Sequence, residues 1–445
     1  MKGGEAMLKA GASSKIITNE LGTPVQGATV NQVAESIRDE LEANVFFLSS
    51  EETRVMFINC DVGLIDTLYA RRYCNAISAK TGIPERNIII SGTHTHSGPS
   101  VLQTSPFKKI DEKWLNTLEQ KLVDAAWEAV TGAAECRIGY AKGTAQIGYN
   151  RRCCWNDGTH SMHGDTTLPG FTGLEGPQDS THLVLYAENM GGQIIGIVHN
   201  NSCHTVNFYG AAFYSADYPG YARQLIRDAV GKIPVLYFNG GFGDNTTRNL
   251  LVPGHGNGES VMKKQSCILA GETLRLIAES RAEAVSDLKH SYEDLSVPIR
   301  FPDQGQLEND KAVVRRVMSE GRIDMESLLS FGRCRLAEEY SDKPFDTVPV
   351  HAVKIGDLAV VTNPCELYGQ FMIDLRRRSP AELTMFADIS DGYCGYCPTM
   401  YGVLGGGYSG ESIHWTRLAA DAGYRIVDTA SKLLHGLWRS SSPLN

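Results

Sequence analysis

The chain has 445 residues, 42% of them hydrophobic and 21% charged, with a formal net charge of -9. That length can bury a large core in one α/β unit or two intimate ones, and an acidic balance without runs of like charge argues against a nucleic-acid surface. The 11 cysteines are an odd count scattered over a long chain, which suggests reduced thiols in a cytoplasm; Met1 to Ser14 has no apolar core of a secretory signal, and no stretch approaches the roughly 20 apolar residues of a membrane helix.

In chain order, Asn44–Leu48 and Arg54–Asn59 flank a polar Ser-Ser-Glu-Glu turn, the pattern of a β-hairpin. Apolar residues then recur at helical spacing from Gly63 to Lys80, and Gly82-Ile83-Pro84 stops that helix. The apolar run Asn87–Ile90 reads as a short buried strand leading into Ser91-Gly92-Thr93-His94-Thr95-His96-Ser97-Gly98-Pro99. An extended backbone there points His94 and His96 to one side. Such a pair suits a metal site at the carboxyl end of a strand, although histidines also serve as hydrogen-bonded loop residues. A further helix is predicted from about Asp111 to Val130, with Leu115, Leu118, Leu122 and Ala126 along one face.

Residues 150–181 are rich in Gly, Asp, Asn and Pro and too long for an ordinary connection. Trp155, Phe171 and the pair Arg151-Arg152 favour an active-site loop over disorder. His160 and His163 read as solvent-facing and outside the site. Two strands follow, His182–Ala187 and Gln193–Val198, joined through Asn189-Met190-Gly191-Gly192, and the second runs into the polar loop His199–Thr205 with Cys203 and His204. Asp217 is expected to cap the next helix. The strand Pro234–Phe238 runs into a Gly-rich loop, Asn239–Thr247, that lacks a Walker ending. Ser260–Ala278 and Gln306–Gly321 read as surface helices, Val348–Lys354 with Leu358–Val361 as a hairpin, and Leu383–Ile389 as a strand. Helices are also expected over Leu367–Arg377 and Trp415–Leu434, and the Gly405–Tyr408 stretch as a rim. Cys394 and Cys397 form a lone C-x-x-C without the second pair of a zinc ribbon, and read as reduced, packing cysteines. A Cys203-His204 nucleophile pair is geometrically poor between sequence neighbours.

The motifs GTHTHSGP (Gly92–Pro99), NRR (Asn150–Arg152), Cys203-His204, GDNTT (Gly243–Thr247), PCE (Pro364–Glu366) and GYCGYCPT (Gly392–Thr399) occur in the order in which they appear in the neutral, non-lysosomal ceramidases. The chain resembles that zinc-hydrolase superfamily from Ala10 to beyond Gly410. The resemblance implies an α/β fold of layered mixed β-sheets with flanking helices, as a single catalytic domain over residues 8–440. It implies His94, His204, Glu366 and Tyr396 as Zn²⁺ ligands, a donor set acceptable to that ion. His96, Arg151 and Tyr396 would be catalytic, with Arg151, Asp244 and Thr246 at the substrate.

Departures from the family pattern bear on substrate. Asn245-Thr246-Thr247 stands where ceramidases carry VSP, so Thr246 would replace a serine hydroxyl. Little sequence follows the last helix, so no ceramidase C-terminal β-sandwich is expected. The expectation is therefore a cytoplasmic zinc-dependent hydrolase that cleaves an amide, lactam or related C–N bond of a small molecule by metal-activated water. The alternatives are a true ceramidase and a non-catalytic binding protein on the same scaffold. No nucleic-acid partner and no transmembrane segment are expected, and oligomeric state is not readable.

Overall fold

A computed structural model describes residues 7–27, 32–252, 254–321 and 323–439. Residues 1–6 of the N-terminal stretch scanned for a signal and the expected domain end at residue 440 lie outside the described residues. The fold is mixed α/β with several sheets and flanking helices. Its largest sheet has eight strands, in spatial order Val235–Asn239, Ile194–Asn201, Thr181–Asn189, Ala134–Thr144, Lys9–Ile16, Glu42–Ser49, Arg54–Cys60 and Ile88–Gly92. Its interior pairs are antiparallel, and the outermost pair on each edge is parallel. A second sheet of four strands runs Leu288–Pro298, Phe345–Ile355, Leu358–Thr362 and Leu383–Ala387.

The large sheet is bent so that its two halves face each other. The Tyr237 N–H on one edge donates to Asn59 Oδ1 near the other at 3.1 Å, and the Phe57 and Phe238 rings meet edge-on at 5.5 Å. One apolar core fills that bend and continues into the second sheet, through Phe46, Leu185, Val198, Val353, Val360 and Met385. Asn200 ties the sheets together, its Nδ2 donating to Phe238 O at 2.8 Å and Phe386 O at 2.9 Å. These bonds satisfy a buried amide that would otherwise cost its full desolvation penalty.

Helices cover the outer faces. Thr67–Thr81 and Glu112–Thr131 bury their apolar stripes on Val45, Phe47, Met56 and Ile58; Asp217–Val230 and Glu259–Glu279 cover Val184, Tyr186 and Ile197. Gly369–Arg378 and Ala422–Trp438 pack on Val350, Ala352 and Phe386. The first helix ends where its sequence predicts, because Gly82 takes the left-handed conformation at φ 69° that closes a helix without a Cβ penalty.

Four expectations change. Residues 150–181 contain a three-stranded sheet (Arg152–Trp155, His160–Met162, Phe171–Leu174) in place of an irregular loop. His160 is buried, its Nδ1 at 2.7 Å from Glu175, which also accepts from Arg152 Nε at 2.8 Å. Asp217 does not cap its helix through the N-cap position: Ala216 sits there, and Asp217, at φ 54°, turns its carboxylate to the Asn207 N–H and amide and to the Tyr218 N–H. The last helix begins at Ala422 rather than Trp415.

Candidate metal centre

The strand Ile88–Gly92 delivers the two histidines, but not by continuing in extended form. His94 has φ 66°, so the chain turns sharply between them. The loops are locked together from both sides. The His94 N–H donates to Val62 O at 3.0 Å, the His96 N–H to Thr205 O at 3.2 Å, and Thr205 Oγ1 to Thr93 O at 2.8 Å. His204 follows the strand Ile194–Asn201, next to the outermost strand on the other side of the bent sheet, so the bend is what joins the two histidine loops. Glu366 and Tyr396 are register partners in a short parallel pair, Cys365–Leu367 with Gly395–Cys397, which extends from the second sheet. Gly243 lets that pair approach, since a Cβ there would lie 2.3 Å from Glu366 O.

The result is a cluster of ligand atoms. His94 Nε2 lies 3.2 Å from His204 Nε2, 3.3 Å from His96 Nε2 and 3.6 Å from Glu366 Oε2; His204 Nε2 lies 3.4 Å from Glu366 Oε2 and 3.4 Å from the Tyr396 hydroxyl. His94 Nδ1 sits 2.6 Å from Gly63 O and His204 Nδ1 3.1 Å from Phe242 O. A carbonyl only accepts, so both rings carry their proton on Nδ1, and both Nε2 atoms present lone pairs to each other. Glu366 Oε2 beside them is buried without a hydrogen-bond partner, whereas Oε1 accepts from Tyr393 at 2.7 Å. Three electron-rich atoms thus face one point; Arg151 Nη2, 3.3 Å from His204 Nε2, relieves that ring alone, and a cation between the three would satisfy them together.

The spacing suits a metal ion. Tetrahedral ligands about 2.0–2.1 Å from a common centre stand about 3.3–3.4 Å apart, which the 3.2–3.6 Å separations among His94, His204 and Glu366 match. Burial lowers the pKa of all three histidines, against the pull of Glu366 on His94 and with the added push of Arg151 on His204, so the imidazoles are neutral and able to ligate. Burial, followed by the Glu366 charge, raises the Tyr396 hydroxyl. The ligand atoms of His94, His96 and His204 also all lie within 4.8 Å of one another. The residues present therefore fit a metal ion, with His96 reaching the cluster through His94 alone at close range.

A cavity of about 440 Å³ opens over this cluster, walled by His96, Arg151, Thr246, Tyr396, Tyr408 and Leu328 among others. Arg151 Nη2 donates to Gly243 O at 3.0 Å and lies 3.2 Å from the Tyr396 hydroxyl, while its buried Nε has no partner. Thr246 Oγ1 is likewise buried and unpartnered. Asp244, expected at the substrate, is not on the cavity wall: Oδ1 accepts from the Gly369 N–H at 2.9 Å and Oδ2 from Asn150 Nδ2 at 2.8 Å. It is a positioning residue for the Asn150–Arg151 turn, whose Arg151 N–H donates to Asp244 O. Cys203 is also off the wall, its Sγ directed at Ile147 O and His204 O with burial pushing the thiol up.

Several wall residues were not assigned from sequence. Met325 and Leu328 come from the helix Met325–Tyr340, which carries no legible apolar stripe because its buried face includes Ser327, Ser330, Gly332 and Arg333. Tyr209, Met162 and His163 also line the cavity, so His163, although exposed, belongs to its mouth. Tyr393 was legible as part of GYCGYCPT, but its hydrogen bond to Glu366 was not.

A family model described as neutral/alkaline non-lysosomal ceramidase, N-terminal, matches residues 16–151. Over 75 residues, 16% of this chain, the sequence is 33% identical to neutral ceramidase 3 and, over a like stretch, 35% identical to neutral ceramidase 1, both of Arabidopsis thaliana; each alignment spans 10% of the relative's length. In three dimensions the chain is similar to neutral ceramidase from Pseudomonas aeruginosa, with TM-score 0.74, 17% identity, and coverage of 99% of this chain and 76% of that one. It is similar to a ceramidase complexed with C2 at TM-score 0.72 and 17% identity, covering 99% and 77%. The resemblance to neutral ceramidases thus holds in sequence over residues 16–151 and in fold over the whole chain. The motifs with His204, Glu366 and Tyr396 lie outside the stretch matched by the family model.

Proposed function

We propose that this chain is a zinc-dependent hydrolase that cleaves an amide, lactam or related C–N bond of a small substrate, with residues 8–440 acting as one catalytic domain. The observation that carries this reading is the convergence of the His94 and His204 lone pairs with the unpartnered Glu366 Oε2. In this reading His94, His204 and Glu366 hold Zn²⁺, and Tyr396 closes the set from the His204 side. Zn²⁺, when bound, supplies Lewis-acid polarisation and acidifies water.

The chain's own groups supply the rest. The Arg151 guanidinium, the one cationic side chain on the cavity wall among the described residues, donates to the scissile carbonyl oxygen and holds the negative charge that develops there. His96, at the edge of the cluster and on the same wall, accepts the proton released by the attacking water and passes it to the departing nitrogen, so that amide and water become carboxylate and amine. The Thr246 hydroxyl, with no protein partner, is left to the substrate. At about 440 Å³ the cavity suits a small ligand better than a lipid with two long chains, which favours a small amide over ceramide.

Metal analysis of His94→Ala and His204→Ala proteins should show loss of zinc, and His96→Ala should keep zinc but lose turnover by about 10²–10⁴-fold. Full zinc occupancy in both of the first two variants would sink the ligand assignment. Hydrolysis of a fluorescent ceramide at a rate matching that of small amides would replace this reading with a true ceramidase. Tight zinc loading with no turnover of any amide or lactam would leave a binding protein.

A further inference from the structure

The catalytic cavity does not end at its mouth. His163 is also a wall of a second, more open cavity of about 690 Å³, lined by Asp165, Arg248, Asn249 and His255 among others. The two spaces therefore share a boundary residue. A single short segment serves both: Thr246 faces the inner cavity, and Arg248, two residues on, lines the outer groove.

The charges along this path are unequal. Among the described residues, Arg151 is the one arginine or lysine on the inner wall, and no carboxylate lines it. In the groove, Arg248 has neither an ion pair nor a hydrogen bond among the described residues. The nearby acid, Asp165, makes no ion pair with it. Asp165 Oδ1 caps its own turn, accepting from the Thr167 N–H at 3.0 Å and Thr167 Oγ1 at 2.6 Å.

His255 adds a donor. Its Nδ1 accepts from the Asn249 N–H at 2.8 Å, which places the ring proton on Nε2. The groove therefore offers a guanidinium free to bind in bidentate fashion, together with an imidazole N–H. That is the donor set for a carboxylate or phosphate. An arginine left unpaired next to a reaction cavity, in a chain of net charge -9, also draws anions toward the one mouth that needs them.

We propose that the substrate of this site is a small amide bearing an anionic group, and that Arg248, assisted by His255, binds that group in the groove beside His163 while the amide enters the cavity below. This rests on the hydrolase reading for the identity of the reaction, but not for the binding itself. Arg248 is thus a specificity-determining residue outside the metal cluster.

The test compares N-benzoylglycine with its neutral counterpart N-benzoylglycinamide on the zinc-loaded full chain, by calorimetric binding and by hydrolysis. Benzoylglycine should bind more tightly to the wild type, and Arg248→Gln should lose about tenfold in that affinity, the worth of one charge-assisted contact. The amide should be unaffected, Arg248→Lys should recover part of the loss, and added salt should shrink the preference. Benzyl phosphate as competitor separates the two anion types: stronger displacement by phosphate than by benzoate points to a phosphorylated substrate. Equal binding of the two glycine probes by the wild type, absence of binding by both, or an Arg248→Gln protein that keeps the preference would overturn the anion subsite. Preserved anion preference without any hydrolysis supports the subsite and counts against the hydrolase reading alone.

Discussion

Glu366 depends on Tyr393 as much as on its own position in the chain. The Tyr393 hydroxyl donates to Oε1 at 2.7 Å in a fully buried setting, leaving Oε2 to face the histidines. Tyr393→Phe should leave Oε1 unpaired, at a cost of about 1–3 kcal/mol to folding, and should weaken metal binding about 10–100-fold because the carboxylate loses its orientation. Metal titration and thermal unfolding read the two effects separately. At this scale the sequence was partly legible. The residue types at His94, His204, Glu366 and Tyr396 stood out in their motifs, whereas the tautomers of His94 and His204 depend on the carbonyls of Gly63 and Phe242, which lie far from them in the chain.

At the scale of elements, the parallel pair that carries Glu366 and Tyr396 rests against the 239–247 loop. The Gly243 N–H donates to Leu367 O at 2.8 Å, and a Cβ at Gly243 would meet the Glu366 carbonyl oxygen at 2.3 Å. Backbone on both sides leaves no flexible group to yield. Gly243→Ala should therefore cost about 1–3 kcal/mol through overpacking and lower metal affinity by displacing Glu366. Gly271→Ala is the control. Gly271 lies within the helix Glu259–Glu279, and a methyl group added there would meet no neighbouring element within 4 Å, so alanine should stabilise by about 0.5–1 kcal/mol with no effect on metal. Differential unfolding of the two variants checks both signs. Elements with apolar periodicity, such as Glu112–Thr131, were legible in sequence, while Met325–Tyr340 was not. Its Arg333 pairs with Asp310 at 2.8 Å through both Nε and Nη2, so a charged residue occupies the face where a stripe would be sought.

Across the whole molecule, several histidines are buried as neutral parts of the scaffold, away from the metal cluster. Burial lowers His182 and His290 to about 4, and it also holds His199 and His351 well below the ordinary imidazole range. For each, the folded pKa lies below the unfolded value, so the unfolded chain takes up a proton first as pH falls. For His182 and His290 stability is then lost between about pH 6.5 and 4 and is flat above. Asp244 and Asp391, raised by burial to about 7, act in the opposite sense, removing stability as pH rises from about 4 to 7. The two sets partly offset in the overall profile, and a variant isolates one. Between pH 6.5 and 4 the wild type should lose up to about 3 kcal/mol relative to His182→Gln, measured by urea unfolding across that range. A difference that does not change with pH would contradict a neutral His182.

The sequence by itself determined the mixed α/β class, the hairpins and amphipathic helices, and the short motifs that carry the ligand-type residues, because periodicity, turn chemistry and motif spacing are local properties. The tertiary structure decided which of those residues meet. His94 follows one edge strand of the large sheet and His204 the strand next to the opposite edge, and the bend between them brings their Nε2 atoms to 3.2 Å. Tertiary packing likewise turns Asp244 onto the Gly369 N–H rather than into the cavity, and places the unpaired Arg248 in the groove beside its mouth. Such distances follow from how non-local strands pack, and no window of neighbouring residues encodes them.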